Sequence, residues 1–131
     1  MQIHESAENY LETILILHNR LGMVRSIDIA TELGFSKPSV SVFMKNLREN
    51  GFIKMDGDGY ITLLDKGREI AERIYERHTL LSDWLIALGV DAKTAVQDAC
   101  RIEHVISAES FDAIKLHAET NSSMQAEPKT K

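Results

Sequence analysis

The stretch SIDIATELGFSKPSVSVFMKNLRENGFIKMDGDGYITL, residues 26–63, decides the fold. Residues 26–33 read as a short helix, with Ser26 as its cap and Ile27, Ala30 and Leu33 as its apolar side. Gly34-Phe35 makes a tight turn. Ser36 then caps a second helix, and Pro38 is tolerated in its first turn. Val40, Met44 and Leu47 give this helix a buried stripe, and Asn50-Gly51 ends it. Residues 52–55 and 60–63 read as two strands around the turn Asp56-Gly57-Asp58-Gly59. Two short helices across a tight turn form a helix-turn-helix, and a hairpin directly after them forms a wing.

Outward from this stretch the chain is helical. Residues 5–20 carry Tyr10 (or Leu11), Ile14, Leu17 and Leu21 at helical spacing, with Ser6 as a cap and Gly22 as a stop. After the hairpin, Asp65 caps a long helix over residues 66–88. Its stripe of Ile70, Ile74, Leu81 and Leu85 is widened by Leu80, Trp84 and Leu88. A face this apolar predicts burial against a second subunit, with Leu80, Leu81, Trp84, Leu85 and Leu88 as the dimerisation residues. Gly89-Val90 breaks the helix. Asp91 caps the next, over residues 92–106, with Ala95, Ala99, Ile102 and Ile106 inward. A short final helix spans residues 108–117. From Glu119 the chain is polar, weakly patterned and expected to be disordered. The predicted fold is mainly α: a winged helix-turn-helix over residues 1–64, an all-helical domain over 65–118, and a tail over 119–131.

Charge and composition narrow the function. The net charge is -5, so DNA contact has to rest on a local patch. One such patch exists. From Ser36 to Lys54 the basic residues Lys37, Lys45, Arg48 and Lys54 face the single acid Glu49. Hydroxyls and amides at a helix start bind phosphate, and so does lysine. Ser36, Lys37, Pro38, Ser39, Ser41, Val42 and Lys45 are therefore the candidate DNA contacts, Val42 toward a thymine methyl. The single cysteine forbids an intrachain disulfide and suits a reducing compartment. No apolar run reaches membrane-spanning length, and the first residues do not read as a signal peptide. A cytoplasmic protein with no membrane partner is expected.

The chemistry concentrates in Cys100-Arg101-Ile102-Glu103-His104. On a helix, positions 100, 103 and 104 share one face. Sulfur, carboxylate oxygen and imidazole nitrogen together suit a divalent transition metal. Three donors do not complete a site. Asn9 and Glu12 share a face of the first helix, but by spacing alone they read as solvated surface. His78, taken alone, reads as an ordinary surface or core residue. His4, His18 and His117 have no partners at metal spacing.

The winged helix, Arg77-His78, Leu80-Leu81, the Gly89-Val90 break and Cys100-Arg-Ile-Glu103-His104-Val-Ile-Ser107 together resemble the diphtheria toxin repressor family of metal-dependent repressors. The resemblance covers roughly residues 6–118. In length the chain resembles the shorter manganese-responsive members, without the extra C-terminal domain of the iron-responsive ones. The resemblance implies a homodimer that binds double-stranded operator DNA when a divalent metal is bound. It implies metal ligands at Asn9, Glu12, His78, Cys100, Glu103 and His104, and no enzymatic role. Two ligands depart from the manganese type, which has aspartate at the position of Asn9 and glutamate at that of Cys100. Iron-type members share the cysteine but use methionine in the first helix. Ser82 and Val96 stand where the iron-type second site needs donors, and Val42 stands where iron-type members have a glutamine. Mn(II) or Fe(II) is the expected metal, with Co(II) or Zn(II) as alternatives, because thiolate softens the site. The competing expectation is a winged-helix regulator that senses a small organic ligand without metal.

Overall fold

The computed structural model describes residues 5–129, with side chains through residue 120. The elements are α1 (Glu5–Leu21), α2 (Ser26–Leu33), α3 (Lys37–Glu49), β1 (Ile53–Met55), β2 (Ile61–Leu63), α4 (Asp65–Ala87), α5 (Ala92–Val105) and α6 (Ala108–Lys129). The chain divides into two compact units, Met1–Tyr75 and Glu76–Lys131. Among the described residues no helix is long and apolar enough to cross a membrane.

The first unit is the winged helix. Its core joins Leu11, Ile14 and Leu17 of α1 to Val40, Met44 and Leu47 of α3 and to Phe52, Ile53 and Ile61 of the hairpin. Each fully buried side chain of this kind contributes about 1.5–3 kcal/mol. Gly34 adopts φ 71° and so makes the turn between α2 and α3. The Ser36 hydroxyl accepts from the Ser39 amide at 3.3 Å, capping α3 as the sequence predicts. The strands pair antiparallel with Ile53 opposite Leu63. The wing tip is built by Asp56, whose carboxylate accepts from the amides of Asp58 and Tyr60, each at 2.9 Å. Ile61 N also donates to Val24 O at 2.7 Å, so the segment before α2 is tied to the hairpin.

Several local expectations change. Ser26 is the first helical residue of α2 and not its cap. The cap is Arg25, whose amide donates to Asp28 Oδ2 at 2.9 Å. The face of α2 turned to the core carries Ile29 and Ala30, while Ile27 is exposed. Leu21 is likewise exposed at the end of α1. Ser6 lies inside α1, which already includes Glu5. His4 lies outside the described residues, and His18 and His117 are exposed, as expected for surface positions.

In the second unit, Leu81, Ala99 and Phe111 form the buried centre, with Leu80, Trp84, Ile102, Ile106 and Ile114 packed around it. Leu81 therefore belongs to the core of its own chain and is withdrawn from the set offered to a second subunit. α6 continues to Lys129, well past His117. The segment expected to be disordered from Glu119 is helical to that point.

Candidate metal centre and DNA-reading helix

The candidate metal centre grows from the packing of α5. Asp91 caps this helix by accepting from the amides of Lys93 at 3.2 Å and Thr94 at 3.4 Å. Ala95 and Ala99, four residues apart, are both fully buried. Glu103 is the next position on that line, so the same face carries a carboxylate to 0% exposure. An ionised carboxylate in such a place needs compensation by charge and hydrogen bonds.

Two imidazoles supply part of it. His78 Nδ1 of α4 lies 2.9 Å from Glu103 Oε2. His104 Nε2 lies 3.4 Å from Glu103 Oε1, at ion-pair range, and the His104 side chain is only 3% exposed. Oε1 itself has no hydrogen-bond partner. A buried carboxylate oxygen left unsatisfied beside an imidazole nitrogen is what a divalent cation would complete. Carboxylate oxygen with imidazole nitrogen suits Mn(II), Fe(II), Co(II) or Zn(II). The residues present thus fit a metal.

The structure brings His78, Glu103 and His104 together within the second unit. Cys100 is one turn earlier on α5 and is exposed. In the first unit, Asn9 is half-buried on α1 and Glu12 is buried there at 5% exposure. Ser82 is buried with Oγ lacking a hydrogen-bond partner, and Val96 is exposed. Neither adds a strong donor.

Arg77 is the residue whose role sequence reasoning missed. Its Nη1 donates to the carbonyls of Glu103 at 3.2 Å and Ile106 at 3.1 Å. Its guanidinium carbon lies 5.2 Å from the Phe111 ring centroid. No local signal announces such a contact, because its partners are 26 and 29 residues away.

The candidate DNA-reading surface is the start of α3. Ser36, Lys37, Pro38, Ser39, Ser41, Val42 and Lys45 are all exposed, Val42 at 70%. Ser36 Oγ also lies 2.9 Å from Ser39 Oγ, so both hydroxyls already serve the cap. Lys37, Ser41 and Lys45 project from the same helix. The wing tip, by contrast, carries Asp56 and Asp58 and no cation. Arg25 is nearer the hairpin, with its guanidinium carbon 4.4 Å from the Tyr60 ring centroid. Of the residues proposed for dimerisation, Leu88 is 62% exposed, while Leu80, Trp84 and Leu85 are half-buried.

A winged helix joined to a helical unit that holds a buried carboxylate–imidazole cluster defines a metal-dependent transcriptional repressor. The chain belongs to the iron-dependent repressors, the diphtheria toxin repressor family: residues 2–61 match the family's N-terminal DNA-binding domain and residues 64–122 its metal-binding and dimerisation domain. The transcriptional regulator MntR of Escherichia coli O157:H7 is 35% identical over 112 residues, covering 86% of this chain and 72% of that protein. An uncharacterised HTH-type transcriptional regulator of Methanocaldococcus jannaschii is 32% identical over 117 residues, covering 88% and 94% respectively. Among solved structures, a manganese-dependent transcriptional repressor in complex with manganese has a TM-score of 0.79 at 27% identity, over 86% of this chain. The manganese regulator SloR has a TM-score of 0.75 at 25% identity, over 91% of this chain. The chain spans about half of each of those two structures, 52% and 55%.

Proposed function

We propose that this protein binds double-stranded operator DNA as a homodimer when a divalent transition metal, Mn(II) or Fe(II) in the first place, is bound. The observation that carries the reading is Glu103, buried between two imidazoles with one oxygen unsatisfied. Its ligand set is His78, Glu103 and His104, joined by Cys100 and by Glu12 and Asn9 of α1. The burial of Glu12 supports its inclusion, since a carboxylate is rarely buried without a cation or several donors. The division of roles is DNA reading by residues 1–64 and metal binding with dimerisation by residues 65–118.

A bound ion would supply positive charge and fixed ligand directions at these side chains. The protein's own residues do the rest. Glu103 and His104 sit one after the other in the last turn of α5, and His78 orients the Glu103 carboxylate. Asn9 and Glu12 are carried by the same unit as α3, so their participation makes metal binding and DNA binding depend on one another. At the DNA, Lys37 and Lys45 meet phosphates, while Ser41 and Val42 reach base edges. The exposed Leu88, with the half-buried Leu80, Trp84 and Leu85, contributes to the dimer. The protein acts in the cytoplasm and catalyses no reaction.

The test is a DNA-binding titration with fragments selected from a random duplex library. Mn(II), Fe(II) under anaerobic conditions, Co(II) and Zn(II) are added separately against a chelated control. Metal-stimulated binding by a dimer is expected. Binding indifferent to chelator at every metal tested would instead favour the organic-ligand alternative.

A further inference from the structure

We propose that Arg77 is the positioning residue of the metal centre, holding the last turn of α5 so that Glu103 and His104 are presented in fixed directions. The proposal rests on the metal-site reading above. α5 ends at Val105, and Ile106 N makes a final bond to Ile102 O at 3.0 Å. The carbonyls of a last turn have no further helical donors, and helix ends fray. Glu103 and His104 lie in that turn. Left alone, it would let both side chains wander at the place where ligand geometry matters most.

Arg77 closes it from α4. One nitrogen, Nη1, spans the carbonyls of Glu103 and Ile106. The positive charge also complements the negative end of the helix. His78, the next residue on α4, contacts the Glu103 carboxylate. Glu103 is thereby held at two points, its backbone by Arg77 and its side chain by His78. Phe111 of α6 faces the guanidinium and limits its movement.

Stability alone is a poor explanation for this arginine. Its Nε is buried without a hydrogen-bond partner. Buried cations with unspent donors cost free energy, and apolar replacements of similar volume often do as well. Supporting contacts behind metal ligands, by comparison, typically govern affinity by about 10–100-fold.

The experiment uses the full chain with Co(II) as probe, read by its visible absorption and by affinity, alongside metal-free thermal unfolding and amide exchange. Arg77→Met is expected to weaken Co(II) binding by about tenfold or more, to shift the Co(II) bands, and to speed amide exchange in the last turn of α5 without metal. Arg77→Lys, which keeps the charge and N–H donors but loses the planar group that faces Phe111, is expected to fall between wild type and Arg77→Met. If Arg77→Met fails to fold, Arg77→Gln carries the same expectation. Ile53→Val, in the hairpin of the other unit, serves as a destabilised control whose Co(II) spectrum stays unchanged. An Arg77→Met protein with unaltered Co(II) affinity and bands overturns the proposal, whatever its unfolding temperature. A His104→Ala protein that also binds Co(II) unchanged overturns the metal-site reading itself; loss of binding in His104→Ala alone removes only the role given to Arg77.

Discussion

Glu103 stands in line with two buried alanines, where a leucine would fold as well or better. A carboxylate kept at such a position, with one oxygen on His78 and the other unsatisfied, costs stability, which the proposed role as a metal ligand would explain. Glu103→Gln separates the two roles. The amide keeps the shape and can still pair with His78, so metal-free stability should move by about 1 kcal/mol or less. The rise in unfolding temperature on adding Mn(II) or Co(II) should vanish, because a neutral amide is a far weaker ligand. Parallel thermal unfolding with and without metal checks both halves. Gly67 gives a second prediction, on packing alone. A Cβ there would lie 2.2 Å from the Phe52 carbonyl oxygen. Helix propensity by itself favours alanine by about 1 kcal/mol. The clash reverses that sign, so Gly67→Ala should destabilise the first unit by about 1–3 kcal/mol in denaturant titration. At this scale the sequence was half legible. The spacing of Cys100, Glu103 and His104 marks one helix face, yet neither the burial of Glu103 nor the grip of Arg77 can be read before α4, α5 and α6 are packed.

α3 is the element on which stability and recognition meet, and Ser36 lies at the junction. Its hydroxyl caps the helix through the Ser39 amide. Ser36→Ala should therefore cost about 1 kcal/mol of folding stability. Ser36→Asp keeps the cap, and a negative charge there suits the helix dipole, so stability should hold or rise slightly. The same charge would face phosphates, so DNA affinity should fall by about tenfold or more at moderate salt. Unfolding and fluorescence-anisotropy binding on the two variants distinguish a structural cap from a DNA contact. Elements with strong local punctuation were the legible ones: Ser36 and Asp91 as caps, Gly34 at the turn, the Asp56–Gly59 tip of the wing. Where punctuation was weak the reading slipped. Serine favours the cap position, but Asp28 accepts from the amide one residue before Ser26, at Arg25, and separately α2 turns Ile29 and not Ile27 to the core. Leu81 looked like interface because an apolar helix stripe does not say which neighbour covers it; here Ala99 and Phe111 of the same chain do. The end of α6 is not legible because an apolar pattern marks packing, and a helix can run past the last packed residue.

For the whole molecule, the decisive quantity is the coupling between metal and DNA, and thermodynamics fixes its symmetry. If metal tightens operator binding by some factor, operator must tighten metal binding by the same factor. A tenfold effect corresponds to about 1.4 kcal/mol. The two variants Glu12→Ala and His104→Ala should break this cycle at different places. Glu12 lies in the unit that reads DNA, whereas His104 lies with His78 and Glu103 in the other. Removing His104 takes away a proposed ligand of the central cluster, so metal affinity and metal-stimulated DNA binding should fall together. Removing Glu12 leaves that cluster intact. Metal should then still bind, more weakly, while DNA affinity no longer responds to it and operator no longer tightens the metal. Calorimetric metal titration of each variant, with and without operator duplex, closes the cycle. Equal coupling factors in both directions are expected for wild type, and a factor near one for Glu12→Ala. A Glu12→Ala protein that retained the full wild-type coupling would remove α1 from the ligand set and require the signal to travel through the fold alone.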